Sequence, residues 1–370
     1  MSKIWINCSE ASGDMFAGAL AGELLRQCPS LEIQGMGGAA FESSGAKIVF
    51  PMERLCFKGF IDVLLNIPAV CRLHQEITQS WEEDFPDAVI MVDCPDFNLP
   101  LAKSAHEMGI PVYYFMAPQF WAWKQPGIKK LQRYVRKTFC ALPFEEEYFN
   151  NRDCKAEYFG HPLLDIIPLN SLDKLTVNHN RIGFMPGSRR KEISFMLPEF
   201  AKTAAELSCE YPALEFHIAR APGISRNFIQ QHWPEGLPVT IVPPQGRFSM
   251  IKRSAFMFCA AGTATLETAL IGTPSIVTYK LDQPAAFIAG KLAFSKYISL
   301  TNILFQKEIF PELLQGKADA GHLLTQAESW LNSADQLQSL RKKIRKTRSI
   351  SGPPGCLNKT ANYILNDHRN

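Results

Sequence analysis

Two carboxylates flank a proline in Asp93-Cys94-Pro95-Asp96-Phe97-Asn98, directly after the apolar run Ala88–Val92. Ligands of open α/β folds gather at the carboxyl ends of the strands. A carboxylate at such an end is a candidate general base. Pro95 and Asn98 turn the chain there. Asp96 reads as the partner of an Asx-turn, which leaves Asp93 as the base. A second carboxylate, Glu10, stands in Ser9-Glu10-Ala11-Ser12-Gly13-Asp14 after the apolar residues 4–6. A carboxylate in that position needs a polar partner or a ligand hydroxyl, so Glu10 is the reserve candidate. Ser12 and Asp14 suit helix capping as well as function.

Two further segments suit anion binding. In Met185-Pro186-Gly187-Ser188-Arg189-Arg190-Lys191-Glu192 a strand ends, Gly187 and Ser188 turn, and a helix begins at about Glu192. Backbone N–H groups and the Arg189 guanidinium would face one point, a site for phosphate oxygens. The spacing is not that of a P-loop; Arg190 and Lys191 read as a solvated face. Residues 261–267 follow the apolar run 255–259. There Gly262, Thr263, Ala264 and Thr265 are small enough for a ligand to meet a helix N-terminus, whose dipole favours a diphosphate. Glu267, one turn in, suits both hydroxyls of a ribose. A capping box explains Thr263, and could extend to Thr265, but less well explains Glu267.

Weaker signals complete the set. Gln34-Gly35-Met36-Gly37-Gly38 brings backbone N–H groups near a ligand, or makes a tight turn. Gln119, Trp121 and Trp123 suit sugar stacking or an acyl surface, or form a packed aromatic corner. His161 reads as structural, and the role of Asn302 is open. No pair of histidines and no Asp-x-Asp motif points to a metal. GxGxxG is missing, which disfavours a dinucleotide-dependent dehydrogenase.

The elements that position these residues follow from the whole chain. Its 370 residues carry 39 Lys+Arg and 36 Asp+Glu, a net charge of +3. Such a length predicts two domains, and so small a charge argues against nucleic acid as the main partner. The ten cysteines show no CxxC spacing, as expected of reduced thiols. The N-terminus lacks an apolar h-region, so no signal peptide is expected. No apolar run reaches 18 residues, so membrane contact is expected to be peripheral.

Apolar runs at 4–6, 88–92, 112–115, 181–185, 214–219, 239–242, 255–259 and 275–279 alternate with helical patterns at 16–27, 193–210 and 265–271. This alternation predicts an α/β protein with parallel sheets. It reads as two doubly wound, Rossmann-like domains facing across a cleft, 1–165 and 166–344, with a terminal helix at about 345–370 allowed to return to the first. The segment 56–68, which includes Lys58 and Phe60, reads as an interfacial element or an ordinary core helix. The basic stretch 341–348 would attract anionic lipid, or form a solvated face.

With these segments laid out, the chain resembles the lipid-A-disaccharide synthases, inverting glycosyltransferases of the GT-B fold. The matching runs are SEASGD (9–14), GMGG (35–38), DCPDFN (93–98), PQFWAW (118–123), LPFEEEYF (142–149), GHPLLD (160–165), MPGSRRKEI (185–193), AGTATLE (261–267), SLTN (299–302) and FPELLQ (310–315). The resemblance implies transfer of a sugar from UDP-2,3-diacylglucosamine to 2,3-diacylglucosamine 1-phosphate. The products are a β-1,6-linked disaccharide and UDP. Donor contacts would come from Gly187, Ser188, Arg189, Gly262, Thr263, Ala264, Thr265, Glu267 and Asn302. Acceptor contacts would come from Gly13, Asp14, Gly37, Gly38, Gln119, Trp121 and Phe60. No cofactor or metal is expected. The expected place is the cytoplasm, in peripheral contact with anionic lipid on the inner face of the inner membrane, with a homodimer allowed. Ser9, Ala261 and Thr301 stand where the family usually has Gly, Ser and Pro. Rival readings are a UDP-N-acetylglucosamine epimerase and a nucleotide-sugar-binding protein without catalysis.

Overall fold

The structure, a computed structural model, describes residues 2–55, 66–122, 127–281 and 295–367. Phe60, with the rest of 56–65, and Trp123 lie outside the described residues. The chain forms two compact units: 1–166 with 351–370, and 167–350. The N-terminal unit holds seven strands: β1 (Lys3–Asn7), β2 (Glu32–Gly37), β3 (Lys47–Pro51), β4 (Ala88–Val92), β5 (Val112–Phe115), β6 (Lys137–Phe139) and β7 (Ala156–Glu157). They pair in parallel in the order β3-β2-β1-β4-β5-β6-β7. The other unit holds β8 (Asn178–Met185), β9 (Glu215–Ala219), β10 (Thr240–Val242), β11 (Ser254–Ala260), β12 (Ser275–Tyr279) and β13 (Glu312–Leu314). Its parallel order is β10-β9-β8-β11-β12-β13.

Central strands of such sheets are covered on both faces, so they read as unbroken apolar runs. All of Ala88–Val92 and all of Ser254–Ala260 are buried. In each sheet the winding direction reverses once, between β1 and β4 and between β8 and β11. Ligands of doubly wound folds bind beyond the strand ends at that reversal.

Two expectations change. The glycines at 35–38 do not form a free loop, because β2 runs through Gly37. A Cβ on Gly35 would lie 1.9 Å from the Ile6 carbonyl oxygen, so glycine there lets β2 reach β1. The chain also leaves the second unit later than 344, after Ile350. Arg341 donates to the Gly272, Ser254 and Ala255 carbonyls at 2.9, 2.8 and 2.6 Å. Arg348 donates to the Leu270 carbonyl at 2.8 Å and forks onto Asp173 at 2.6 and 2.8 Å. Those two cations are spent inside the unit; Lys342, Lys343, Arg345 and Lys346 remain exposed.

Beyond Ile350 the tail docks onto the first unit through Gly160-His161-Pro162-Leu163-Leu164-Asp165. The Ser351 carbonyl accepts from His161 N–H at 3.0 Å and from the Tyr158 hydroxyl at 2.7 Å. Gly160 has φ +107, and a Cβ there would lie 2.2 Å from the Pro353 carbonyl oxygen. Asp165 accepts from the Gly355 and Leu357 amides at 2.5 and 2.9 Å, starting the helix Cys356–Asp367.

Candidate active site

The reversal between β1 and β4 carries acidic groups. Glu10 directly precedes the helix Ala11–Gln27, and Asp93 is the first residue beyond β4. Asp93 and Cys94 have φ values of +52 and +45. Each such left-handed, non-glycine residue costs on the order of 1–3 kcal/mol, and persists only where its surroundings over-determine it. Those surroundings are visible. The Asp93 carbonyl accepts from the Asn98 side-chain amide at 2.7 Å and from the Tyr114 hydroxyl at 2.5 Å. Asn98, fully buried, also donates to the Val92 carbonyl at 3.1 Å and accepts from the Asn7 amide at 2.8 Å. The half-buried Asp93 side chain is thus set by a rigid backbone. Burial pushes the Cys94 thiol up to about 12, with the negative charges of Glu10 and Asp93 adding to it. Both carboxylates therefore act on one spot. Asp96 is exposed.

Three residues expected to contact the acceptor are differently employed. Asp14 is buried, and its carboxylate accepts from the amides of Gly38 (2.7 Å), Ala40 (2.9 Å) and Phe41 (3.0 Å). It starts the helix Ala39–Ser43 rather than its own helix. A Cβ on Gly37 would lie 2.6 Å from the Phe41 ring, and one on Gly38 would lie 2.9 Å from the Asp14 carboxylate. These glycines admit the protein's own groups. Gly13 differs: the nearest atom to an added Cβ is the Cys8 Cβ, an ordinary 3.5 Å away.

Beyond β5, Gln119 is exposed and Trp121 half-buried. The Trp121 indole donates to Glu145 at 2.8 Å and meets the Phe144 ring edge-on at 5.0 Å between centroids. Glu145, which sequence reasoning did not single out, is fully buried. Its other oxygen accepts from the Ala141 and Leu142 amides at 2.8 and 2.9 Å, starting the helix Pro143–Asn150. Burial, with the Asp93 charge contributing, raises its pKa to about 7 against these donors. The available signal was a Glu three residues after the helix cap, within Leu142-Pro143-Phe144-Glu145.

The carboxyl edge of the second sheet is basic. Arg189 follows β8, Arg220 follows β9, Arg247 follows β10 and Lys280 follows β12. Gly187 has φ +114, and an added Cβ would lie 2.8 Å from the Glu192 carboxylate. Arg189, exposed beside Ser188, pairs with Glu192 at 3.0 Å. Gly262 has φ +128, and an added Cβ would meet nothing within 4 Å. With half-exposed Thr263 and Ala264, it leaves the N-terminus of the helix Thr263–Ile271 open to a ligand. Such a terminus, beside a guanidinium, can hold a diphosphate. Thr265 is turned inward: its hydroxyl donates to the Gly262 carbonyl at 2.8 Å and accepts from the Leu300 amide at 3.2 Å. Glu267 is buried and pairs with Arg247 at 3.3 Å.

Asn302 was expected among the donor contacts, but its amide is taken internally. It donates to the Phe310 carbonyl and to Glu312, both at 2.8 Å, and accepts from the Ile309 and Phe310 amides at 2.8 and 2.9 Å. Thr301 uses its hydroxyl to bond the Thr265 carbonyl at 2.8 Å, tying the same turn to the helix Thr263–Ile271. Among the described residues, no cluster of three His, Cys, Asp or Glu side chains could hold a metal ion.

Known proteins resemble the chain over nearly its whole length. The family model described as lipid-A-disaccharide synthetase matches residues 4–361. The lipid-A-disaccharide synthase of Myxococcus xanthus (strain DK1622) is 31% identical over 374 residues, covering 98% of this chain and 97% of the relative. That of Neisseria meningitidis serogroup B is 30% identical over 355 residues, covering 92% of each. Among solved structures, the UDP-GlcNAc 2-epimerase from Neisseria meningitidis bound to UDP-GlcNAc superposes with a TM-score of 0.66 at 12% identity, covering 99% of this chain and all of that one. The calicheamicin glycosyltransferase CalG4 gives 0.61 at 12% identity, covering 99% and 98%. These two likenesses establish the GT-B fold.

Proposed function

The chain belongs to the lipid-A-disaccharide synthetase family, and on that premise we propose how its residues divide the reaction. It is a glycosyltransferase of lipid A biosynthesis. The sugar of UDP-2,3-diacylglucosamine passes to 2,3-diacylglucosamine 1-phosphate. Asp93 takes the proton from the acceptor 6-hydroxyl as that oxygen attacks the anomeric carbon. The bond from that carbon to the diphosphate breaks, its electron pair leaves with UDP, and the configuration inverts to β-1,6.

The carrying observation is the contrast between the two carboxyl edges. At the first, Asp93 is held in a strained, four-residue polar network beside Glu10. At the second, an open helix N-terminus shares the carboxyl edge of the sheet with Arg189, Arg220 and Arg247. Proton removal needs the first, and a departing diphosphate needs the second. One fixed donor aimed at developing charge is worth about 3–4 kcal/mol. Arg189 and the amides at 262–264 supply several. Asp93 is the base and Glu10 the reserve. Trp121 and Gln119 border the acceptor side, and Glu267 reads the donor ribose.

Both substrates are acylated, and each buried CH₂ contributes about 0.8 kcal/mol to membrane attachment. No helix among the described residues is long and apolar enough to cross a membrane. Attachment at the cytoplasmic face is therefore peripheral in this reading. Ile67, 48% exposed, begins the helix Ile67–Glu83 beside the segment that contains Phe60. Flotation with anionic liposomes tests the point: Phe60→Asp should lose binding, and unchanged binding would reject that segment as the contact.

Incubation with both acylated sugars in detergent micelles tests the reaction itself. The expected result is UDP and a disaccharide in equal amounts. Epimerised sugar nucleotide from soluble UDP-N-acetylglucosamine, without disaccharide, would contradict it.

A further inference from the structure

We propose that Arg247 is a positioning residue that orients Glu267 to receive the two ribose hydroxyls of a uridine nucleotide. The proposal rests on the donor reading given above and adds a residue that reading did not contain.

Glu267 sits about one turn into the helix Thr263–Ile271 and is only 5% exposed. A carboxylate so buried is costly without a well-placed partner. Arg247 provides one from 20 residues upstream, at the start of the helix Arg247–Arg253 beyond β10. Its Nε donates to Oε2 and its Nη2 to Oε1, both at 3.3 Å. The guanidinium is itself restrained. It lies 4.1 Å from the centroid of the Phe248 ring, and Nη1 is 3.5 Å from the Pro244 carbonyl oxygen.

The geometry matters more than the charge. A carboxylate oxygen has two acceptor directions. A two-pronged guanidinium occupies one on each oxygen and leaves one on each. The pair left over matches a vicinal diol, whose two hydroxyls each need one acceptor. A lysine would neutralise Glu267 without fixing its plane. Arg247 thereby converts a buried, paired carboxylate into a reader of two adjacent hydroxyls, at the end of the sheet where the diphosphate helix begins.

The test compares binding of UDP and 2′-deoxy-UDP to the full-length protein by calorimetry. The wild type should prefer UDP by about tenfold, the value of roughly one good hydrogen bond. Arg247→Met should reduce that preference to near unity. Arg247→Lys should restore it only in part. Glu267→Gln should also abolish the preference, and the double variant should lose nothing more. If Arg247→Met keeps the full preference while Glu267→Gln loses it, the role of Arg247 is overturned and the ribose assignment stands. If Glu267→Gln keeps the preference, the ribose assignment itself fails. Arg247→Lys provides the same comparison should the methionine variant not fold.

Discussion

Asn98 holds Asp93 by its backbone: the Asn98 side-chain amide donates to the Asp93 carbonyl at 2.7 Å, across a turn in which Asp93 has φ +52. A left-handed aspartate at a strand end is thus a built feature, maintained by a fully buried side chain.

Removing that support should separate geometry from chemistry. Asn98→Ala leaves the Asn7 amide without the acceptor it meets at 2.8 Å. Each buried polar group stranded in this way costs about 1–3 kcal/mol. The denaturant midpoint should fall accordingly. The kcat of protein that remains folded should fall too, with UDP affinity unchanged. Full turnover in a folded Asn98→Ala protein would show that the strained turn does not set the base.

Asp14 should behave as a structural residue. Asp14→Ala deprives the Gly38, Ala40 and Phe41 amides of their acceptor, and should cost about 1–3 kcal/mol in thermal or chemical unfolding. UDP binding by the folded fraction should be untouched. Gly18→Ala should strain the same contact, because its Cβ would lie 2.4 Å from the Ala40 carbonyl oxygen. Gly13→Ala, with only ordinary contacts around it, should fold as well as the parent.

Much of this was open to reading in the amino-acid sequence, for a physical reason. Strands such as β4 and β11 are buried on both faces and so appear as unbroken apolar runs. The carboxylates that follow β1 and β4 therefore stood out as polar groups at strand ends. The short strands did not: β7 has two residues and β6 three, while β2 carries glycines where backbones approach. Asp14 was expected as a ligand contact although its partners are backbone amides reached only through the fold, and Asn302, through the resemblance, although its partners are the 309–310 backbone and Glu312. The Asp14 partners lie 24–27 residues away. Arg247 gave no motif, and Glu145 was hidden in the triplet 145–147.

Two buried groups should leave opposite marks on stability against pH. Burial holds the His161 imidazole at about 3, below its ordinary 6.5. The unfolded chain then binds a proton that the folded chain refuses, so stability is lost as pH falls through this window. Burial raises Glu145 to about 7, above its ordinary 4.5. Here the folded chain keeps a proton that the unfolded chain has released, so stability is lost as pH rises from 4.5 through 7. Each slope reaches at most about 1.4 kcal/mol per pH unit. Unfolding free energies measured from pH 4 to 8 should therefore differ between the parent and His161→Asn chiefly at the acid end. Those of Glu145→Gln should differ chiefly at the neutral end. Parallel curves for either variant would contradict the burial described for that residue.

The central claim is that Asp93 removes a proton while the other unit holds UDP, and one paired measurement tests it. Disaccharide formation and UDP affinity are measured on the same preparation of Asp93→Asn, which preserves the size of the side chain and abolishes its basicity. The account predicts a fall in kcat of about 10²–10⁴-fold, with the UDP dissociation constant within about twofold of the parent. An unchanged kcat, or a loss of UDP affinity matching the loss of rate, would contradict it.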